Sequence, residues 1–271
     1  MYYGANTRDI AIRRGFADTA VGQLHYRRAG EGPPLVLLHN TWLSSKMYLP
    51  VFPALARRFT VFAIDTLGQG DSDPAPPGEL EIAHYAEALL GALDSLGLDR
   101  VALAGHHTGS VIAAEASILA PERVGRLVLS GLPYWRNPAT RLAQQNAPFF
   151  ADWTPDESGE FLPPLWKAHG GGGRYQLESA VETFIDFLKP GPRTSLALRA
   201  LFRWDAAARL PRITVPTLVL CAETDGFVKN IRSVHELIPG STLTILPGGD
   251  AHPLLDLGGF VAAVSDFCLP D

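Results

Sequence analysis

Short apolar runs, separated by segments of helical period, mark most of this chain. Leu35-Val36-Leu37-Leu38, Val61-Phe62-Ala63-Ile64, Val101-Ala102-Leu103-Ala104, Arg126 to Leu129, Thr217 to Cys221 and Ser241 to Leu246 read as strands, mostly buried on both faces. Between them, residues 79–97 place Ile82, Tyr85, Ala86, Leu89, Leu93 and Leu96 on one helical face and stop at Gly97. An Ala-rich helix is predicted from Ser110 to Ala120, and an amphipathic one from Phe260 to Phe267. Met47 to Phe59 also has helical character, but Pro50 and Pro53 confine it to short pieces. Near the start, Ile12 to Ala17 and Val21 to Arg28 alternate as an antiparallel hairpin at a sheet edge does. The alternation predicts an α/β fold: a doubly wound, mostly parallel sheet with an antiparallel N-terminal edge.

The pattern changes over residues 136–205. Apolar strand runs vanish, helical stretches appear at Gln176–Leu188 and Ser195–Arg203, and four glycines, Gly170 to Gly173, break the chain. A helical insertion is expected there, with residues 1–135 and 206–271 forming the α/β core. Twelve of the chain's 25 aromatic residues fall within 134–204, nearly twice an even share, so this insertion either lines an apolar site or packs its rings against itself.

Composition narrows the classes. Hydrophobic content of 46% and charged content of 19% suit one globular enzyme-sized domain. A net charge of −5 without a basic run argues against nucleic acid as a partner. The two cysteines, Cys221 and Cys268, are too few for a disulfide scaffold, and Cys221 reads as core. The N-terminus lacks the pattern of a signal peptide, and no apolar stretch approaches the ~20 residues that span a bilayer, so the expectation is a cytoplasmic protein without membrane partners, monomeric or homodimeric. No P-loop and no G-x-G-x-x-G follows a strand, and no cofactor is expected.

The chemistry gathers at Gly105-His106-His107-Thr108-Gly109. This stretch ends one predicted strand and opens a helix, the setting of the nucleophile turn written G-x-S-x-G, whose outer glycines allow a strained turn and close helix packing. The chain therefore resembles the α/β-hydrolase family over nearly its whole length, with His107 at the position of the family's nucleophile. The resemblance implies further assignments. The insertion at 136–205 corresponds to the family's helical cap. His39-Asn40-Thr41-Trp42 corresponds to its His-Gly-x loop, which makes the backbone N–H groups of Thr41 and Thr108 the oxyanion hole. Asn40 replaces the usual Gly, and Asn also tolerates left-handed backbone angles. His39 matches a residue that normally holds the loop, the alternative being a catalytic one. Asp65-Thr66-Leu67-Gly68-Gln69-Gly70-Asp71-Ser72 resembles a structural Gly-rich turn. Ala222-Glu223-Thr224-Asp225 points to Asp225 as the acid, with Glu223 as the substitute, and Pro247 to His252 matches the terminal histidine loop.

These assignments imply catalytic residues His107, His252 and Asp225, with Asp225 bonded to His252. His39, Asn40, Trp42, Trp153 and Trp166 are candidate substrate-binding residues. A metal held by His39, His106, His107 and His252 is set aside, because only His107 departs from the family. Thr108 and Ser110 lie off the tip of the turn and are poor substitutes for the missing nucleophile. Three readings stay open. In the first, a small apolar or aromatic carbonyl substrate (an ester, a lactone or a C–C bond next to the carbonyl) is hydrolysed, with an imidazole as nucleophile or as base on water. In the second, a base and an oxyanion hole serve proton transfer, as in a decarboxylase, isomerase, lyase or cofactor-free oxygenase. In the third, the scaffold binds a ligand without turnover. Two imidazoles in one closed site oppose double protonation, and Asp225 favours the cation on His252, which leaves His107 as the neutral base.

Overall fold

In the computed structural model, the structure describes residues 10–147, 152–170, 177–247 and 257–269. One eight-stranded sheet forms the centre: β1 Arg13–Thr19, β2 Gly22–Ala29, β3 Pro34–Leu38, β4 Thr60–Ile64, β5 Val101–His106, β6 Val124–Ser130, β7 Thr217–Ala222 and β8 Thr242–Leu246. The strands lie in the order β1-β2-β4-β3-β5-β6-β7-β8. β1 pairs antiparallel with β2, and β2 antiparallel with β4, while the remaining pairs are parallel. The alternating hairpin and the buried central strands thus sit where the hydrophobic pattern predicts. β3, β4 and β7 are buried almost throughout, as strands covered on both faces must be.

Two apolar layers flank the sheet. One is built with α1 Ile82–Ser95 and α2 Thr108–Leu119, through residues such as Tyr85, Leu89, Leu93, Val111 and Ile112. The other gathers Met47, Phe52, Leu55 and Phe59 with Phe260 and Val264 of the C-terminal helix, Leu257–Cys268. The stretch after β3 forms a short 3-10 helix, Ser45–Tyr48, and a single turn, Phe52–Leu55, so the prolines do cut that helix into pieces. Cys221 and Cys268 are both buried, and neither is in a disulfide.

Between β6 and β7 the described residues form helices and connecting loops. The longer helices are α3 Pro138–Gln145, α4 Leu177–Leu188 and α5 Leu196–Arg203. This helical excursion is anchored to the core by charge: Arg203 reaches Glu79 and Glu81, Arg199 reaches Glu79, and Arg209 pairs with the buried Glu115 of α2. The hydrophobic pattern missed α3, none of whose residues is buried, and α6 Val228–Leu237, which buries only Ile231, Ser233 and Val234. Among the described residues no helix is long and apolar enough to cross a membrane.

Candidate functional site

The turn between β5 and α2 puts His107 at its tip with φ 47° and ψ −115°, a conformation that side chains rarely adopt. The neighbouring glycines explain how the backbone reaches it. A Cβ on Gly105 would fall 2.2 Å from the carbonyl oxygen of Gly109, and one on Gly109 would fall 2.2 Å from that of Leu38. No side chain fits at either position. Below the tip, His106 is fully buried, with Nδ1 3.0 Å from Ser130 Oγ, and its ring stacks on that of His107 at 4.0 Å.

Asp225 follows β7 and is 5% exposed. Its Oδ2 lies 3.0 Å from Nε2 of His107, and its Oδ1 accepts the Phe227 N–H at 2.7 Å. Glu223 is exposed. The carboxylate thus orients the imidazole of His107 itself. With Nε2 carrying the proton toward Asp225, Nδ1 holds the free lone pair, and no described residue hydrogen-bonds it. The expected partner of Asp225, His252, lies outside the described residues, and so does the expected Asp225–His252 bond. Sequence reasoning missed Gly131, whose Cβ would fall 2.6 Å from Asp225 Oδ2 and 2.9 Å from His107 Nε2. The absence of a side chain there is what lets acid and imidazole meet. Its signal was the Ser-Gly step ending β6.

Thr41 and Thr108 lie side by side: Thr41 Oγ1 donates to Thr108 Oγ1 at 2.9 Å. Thr108 opens α2, where the first amides have no partner within the helix and favour negative charge. Ser110 is fully buried and donates its hydroxyl to the His107 carbonyl at 2.5 Å, so it is turned away from the cavity chemistry. His39 is 1% exposed; its Nδ1 lies 2.8 Å from the Asn40 carbonyl, and its Nε2 accepts the Thr66 N–H at 3.0 Å. Burial holds its pKa below the ordinary histidine value, against the pull of Asp65. His39 therefore holds the loop, and its candidacy for substrate contact finds no support in its position. The left-handed residue of this loop is Trp42, φ 74°, rather than Asn40.

A cavity of about 180 Å³ opens beside His107 and is lined by Asn40, Thr41, Trp42 and Thr108 on the loop side. Trp135, Leu198, Leu201, Phe202 and Phe227 make its apolar wall, with Pro133 and Gln144. Phe227 meets the His107 ring edge-on at 5.2 Å and that of Trp135 at 5.6 Å. Trp153 and Trp166, singled out from the sequence, do not belong to this lining: Trp153 stacks on Phe161 at 5.2 Å, and Trp166 meets Phe184 edge-on at 5.3 Å. The wall residues carried no motif and became visible only in three dimensions.

Ligand atoms of His106, His107 and Asp225 lie within 4.8 Å of one another. The two rings are nearly parallel, however, with 20° between their planes, so their in-plane lone pairs do not converge on one ion in this arrangement. His25, Asp65 and Asp71 are equally close, but the Asp65 carboxylate already accepts from the amides of Ser45 and Asp71 and meets His25 Nδ1 at 2.8 Å. Burial opposes the charge on Asp65, yet the hydrogen bond from His25, together with His39 and the Asp71 amide, holds its carboxyl below the usual carboxylate range.

Residues 33–256 match the alpha/beta hydrolase fold family. The chain belongs to that family. It is 29% identical over 254 residues to a putative carbamate hydrolase, RutD, of Stutzerimonas stutzeri (strain A1501), covering 90% of this chain and 91% of that protein. It is 38% identical over 262 residues to the uncharacterized protein Rv2715 of Mycobacterium tuberculosis (strain ATCC 25618 / H37Rv), covering 85% of this chain and 73% of that one. Among solved structures, E-2-(acetamidomethylene)succinate hydrolase superposes with a TM-score of 0.77 at 20% identity, covering 95% of this chain and 99% of the other; this is a likeness of fold.

Proposed function

We propose that this protein hydrolyses a small apolar or aromatic carbonyl compound (an ester, a lactone or a C–C bond next to the carbonyl) with His107 and Asp225 as its working pair. The observation that carries the reading is the 3.0 Å contact between His107 Nε2 and Asp225 Oδ2, which leaves Nδ1 as the basic atom at the tip of the strained turn. The hydrolase name of the Stutzerimonas relative supports hydrolysis as the class of reaction.

In this reading Nδ1 of His107 takes a proton from water as the water oxygen attacks the carbonyl carbon. The carbonyl electron pair moves onto oxygen, which the Thr41 and Thr108 amides hold as an oxyanion hole. Collapse re-forms the carbonyl and expels the leaving group, which takes the proton back from the imidazolium. Direct attack by Nδ1 to form an acyl-imidazole is the nucleophilic variant. Asp225 stabilises the transient cation and fixes the ring. His252 belongs to this reading as the second imidazole of the site. The helical excursion acts as the cap, and Trp135, Leu198 and Phe202 supply an apolar wall that suits an aromatic acyl group. A soluble cytoplasmic enzyme without cofactor completes the proposal.

A second reading is favoured by one observation. No hydroxyl stands at the tip, and Ser110 is committed to the His107 carbonyl. The same base and oxyanion hole then suit removal of a proton next to a carbonyl. Turnover of p-nitrophenyl phenylacetate by wild type and its loss in His107→Ala test the hydrolytic reading. A covalent acyl adduct on His107 marks the nucleophilic variant, and solvent deuterium at a substrate carbon marks proton transfer. Full activity in His107→Ala would sink both.

A further inference from the structure

The loop that carries Thr41 is gripped from two sides. The sheet side holds it through His39 and the Thr66 amide, through Asp65 Oδ1 and the Ser45 N–H at 2.5 Å, and through Tyr48, whose hydroxyl donates to the Leu38 carbonyl at 2.7 Å. The other side is held by α4 of the helical excursion. Asp186 of α4, 0% exposed, accepts from Ser44 Oγ at 2.5 Å and from Lys46 Nζ at 2.9 Å. The next residue, Phe187, meets the Trp42 ring edge-on at 5.8 Å, and His169 stacks on Phe187 and touches Trp42 at 4.8 Å. Gln69 accepts the Trp42 N–H at 3.2 Å and donates to the Thr194 carbonyl at 3.5 Å. Thr194 in turn donates its hydroxyl to the Phe187 carbonyl at 3.0 Å.

Asp186 has no place in the chemistry of His107. A buried carboxylate is costly, and an apolar residue would seal the helix against the loop as well. What the carboxylate adds is direction, because charge-assisted bonds fix donor and acceptor geometry more tightly than apolar packing does. Ser44 and Lys46 lie three and five residues beyond Thr41, Ser44 as the cap and Lys46 inside the 3-10 helix that the Thr41 loop runs into.

We propose that Asp186 is a positioning residue: by holding Ser44 and Lys46 it sets the Thr41 amide, so that seating of the excursion and completion of the oxyanion hole are one event. The inference rests on the reading of Thr41 given under Proposed function. It makes α4 a reporter of closure, with the strained Trp42 as the ring on which the helix bears.

Hydrogen–deuterium exchange of the full-length protein tests it, comparing wild type with Asp186→Asn and with Ser44→Ala. In both variants amides 39–46 are expected to exchange about tenfold faster, while those of β5 and β6 keep their rates. On p-nitrophenyl phenylacetate, kcat should fall about tenfold with KM within about twofold, because a misplaced donor weakens transition-state binding more than ground-state binding. Unchanged exchange in the loop overturns the inference, as does an equal rise in loop and core, which marks a purely structural role. Faster loop exchange with undiminished kcat overturns it too. Ser44→Ala leaves the carboxylate in place, removing its bond to Asp186 and the 3.4 Å cap on the Lys46 amide, and carries the test, read at amides 39–45, should Asp186→Asn fail to fold. A wild type that never turns the ester over defeats the proposed reaction alone, and the exchange rates then decide the role of Asp186.

Discussion

Nε2 of His107 lies 3.0 Å from Oδ2 of Asp225, so a carboxylate from the turn after β7 orients an imidazole borne on the turn after β5. In the usual relay the acid holds a ring that in turn faces a hydroxyl. Here the ring held by the acid is itself the side chain at the strained tip. In the proposed reaction the orienting group and the reacting group are therefore one step apart.

That step can be weighed. Asp225→Asn keeps the shape of the acid but can donate to Nε2, which moves the imidazole proton to Nδ1 and removes the base. A loss in kcat on the order of 10²–10⁴ is expected, with KM nearly unchanged. Steady-state kinetics on p-nitrophenyl phenylacetate measures it. A variant that keeps more than half of the wild-type kcat shows that Asp225 does not set the tautomer.

Gly131 offers a steric test of the same contact. Its φ is 56°, and a Cβ there would meet Asp225 Oδ2 at 2.6 Å. Gly131→Ala should destabilise the fold by about 1–3 kcal/mol, through strain and the displaced carboxylate, and cost activity out of proportion to that loss. Thermal unfolding beside kinetics separates the two effects. Wild-type activity would show that the acid tolerates displacement.

Much of this architecture was legible in the chain. Strands buried on both faces need continuous apolar runs, and those runs placed β3, β4, β5 and β7 within a residue or two. The turn at His107 was legible because Gly105 and Gly109 are forced by backbone contacts as close as 2.2 Å. The cavity wall was not. Trp135, Leu198, Phe202 and Phe227 come from three separate stretches and reach one surface only after the excursion folds back. Aromatic density alone therefore pointed to Trp153 and Trp166, whose partners are Phe161 and Phe184. Gly131 offered only the Ser-Gly step for a related reason: the neighbours that require it, His107 and Asp225, lie far from it in sequence.

The wall makes its own prediction. Phe227→Ala and Trp135→Ala should each raise KM for the phenylacetyl ester by about three- to tenfold through lost apolar contact, while Trp153→Ala leaves KM unchanged and lowers stability. A KM effect confined to Trp153→Ala would place the acyl group against a different face of the excursion.

The last prediction concerns pH. Burial pushes His169 down to about 4, below the ordinary value of 6.5. Between these two values the unfolded chain binds a proton that the folded chain does not. Stability therefore rises with pH across this window: the contribution is complete above about 6.5 and is lost as pH falls toward 4. A proton on His169 would also place a charge between the rings of Phe187 and Trp42, at the contact where the excursion bears on the Thr41 loop. Urea unfolding at pH 7 and pH 4.5 should show wild type losing on the order of 1–2 kcal/mol more than His169→Gln, after allowance for solvent screening of a ring that is only partly buried. An identical pH dependence in the two proteins would mean that His169 takes up its proton without disturbing the contact.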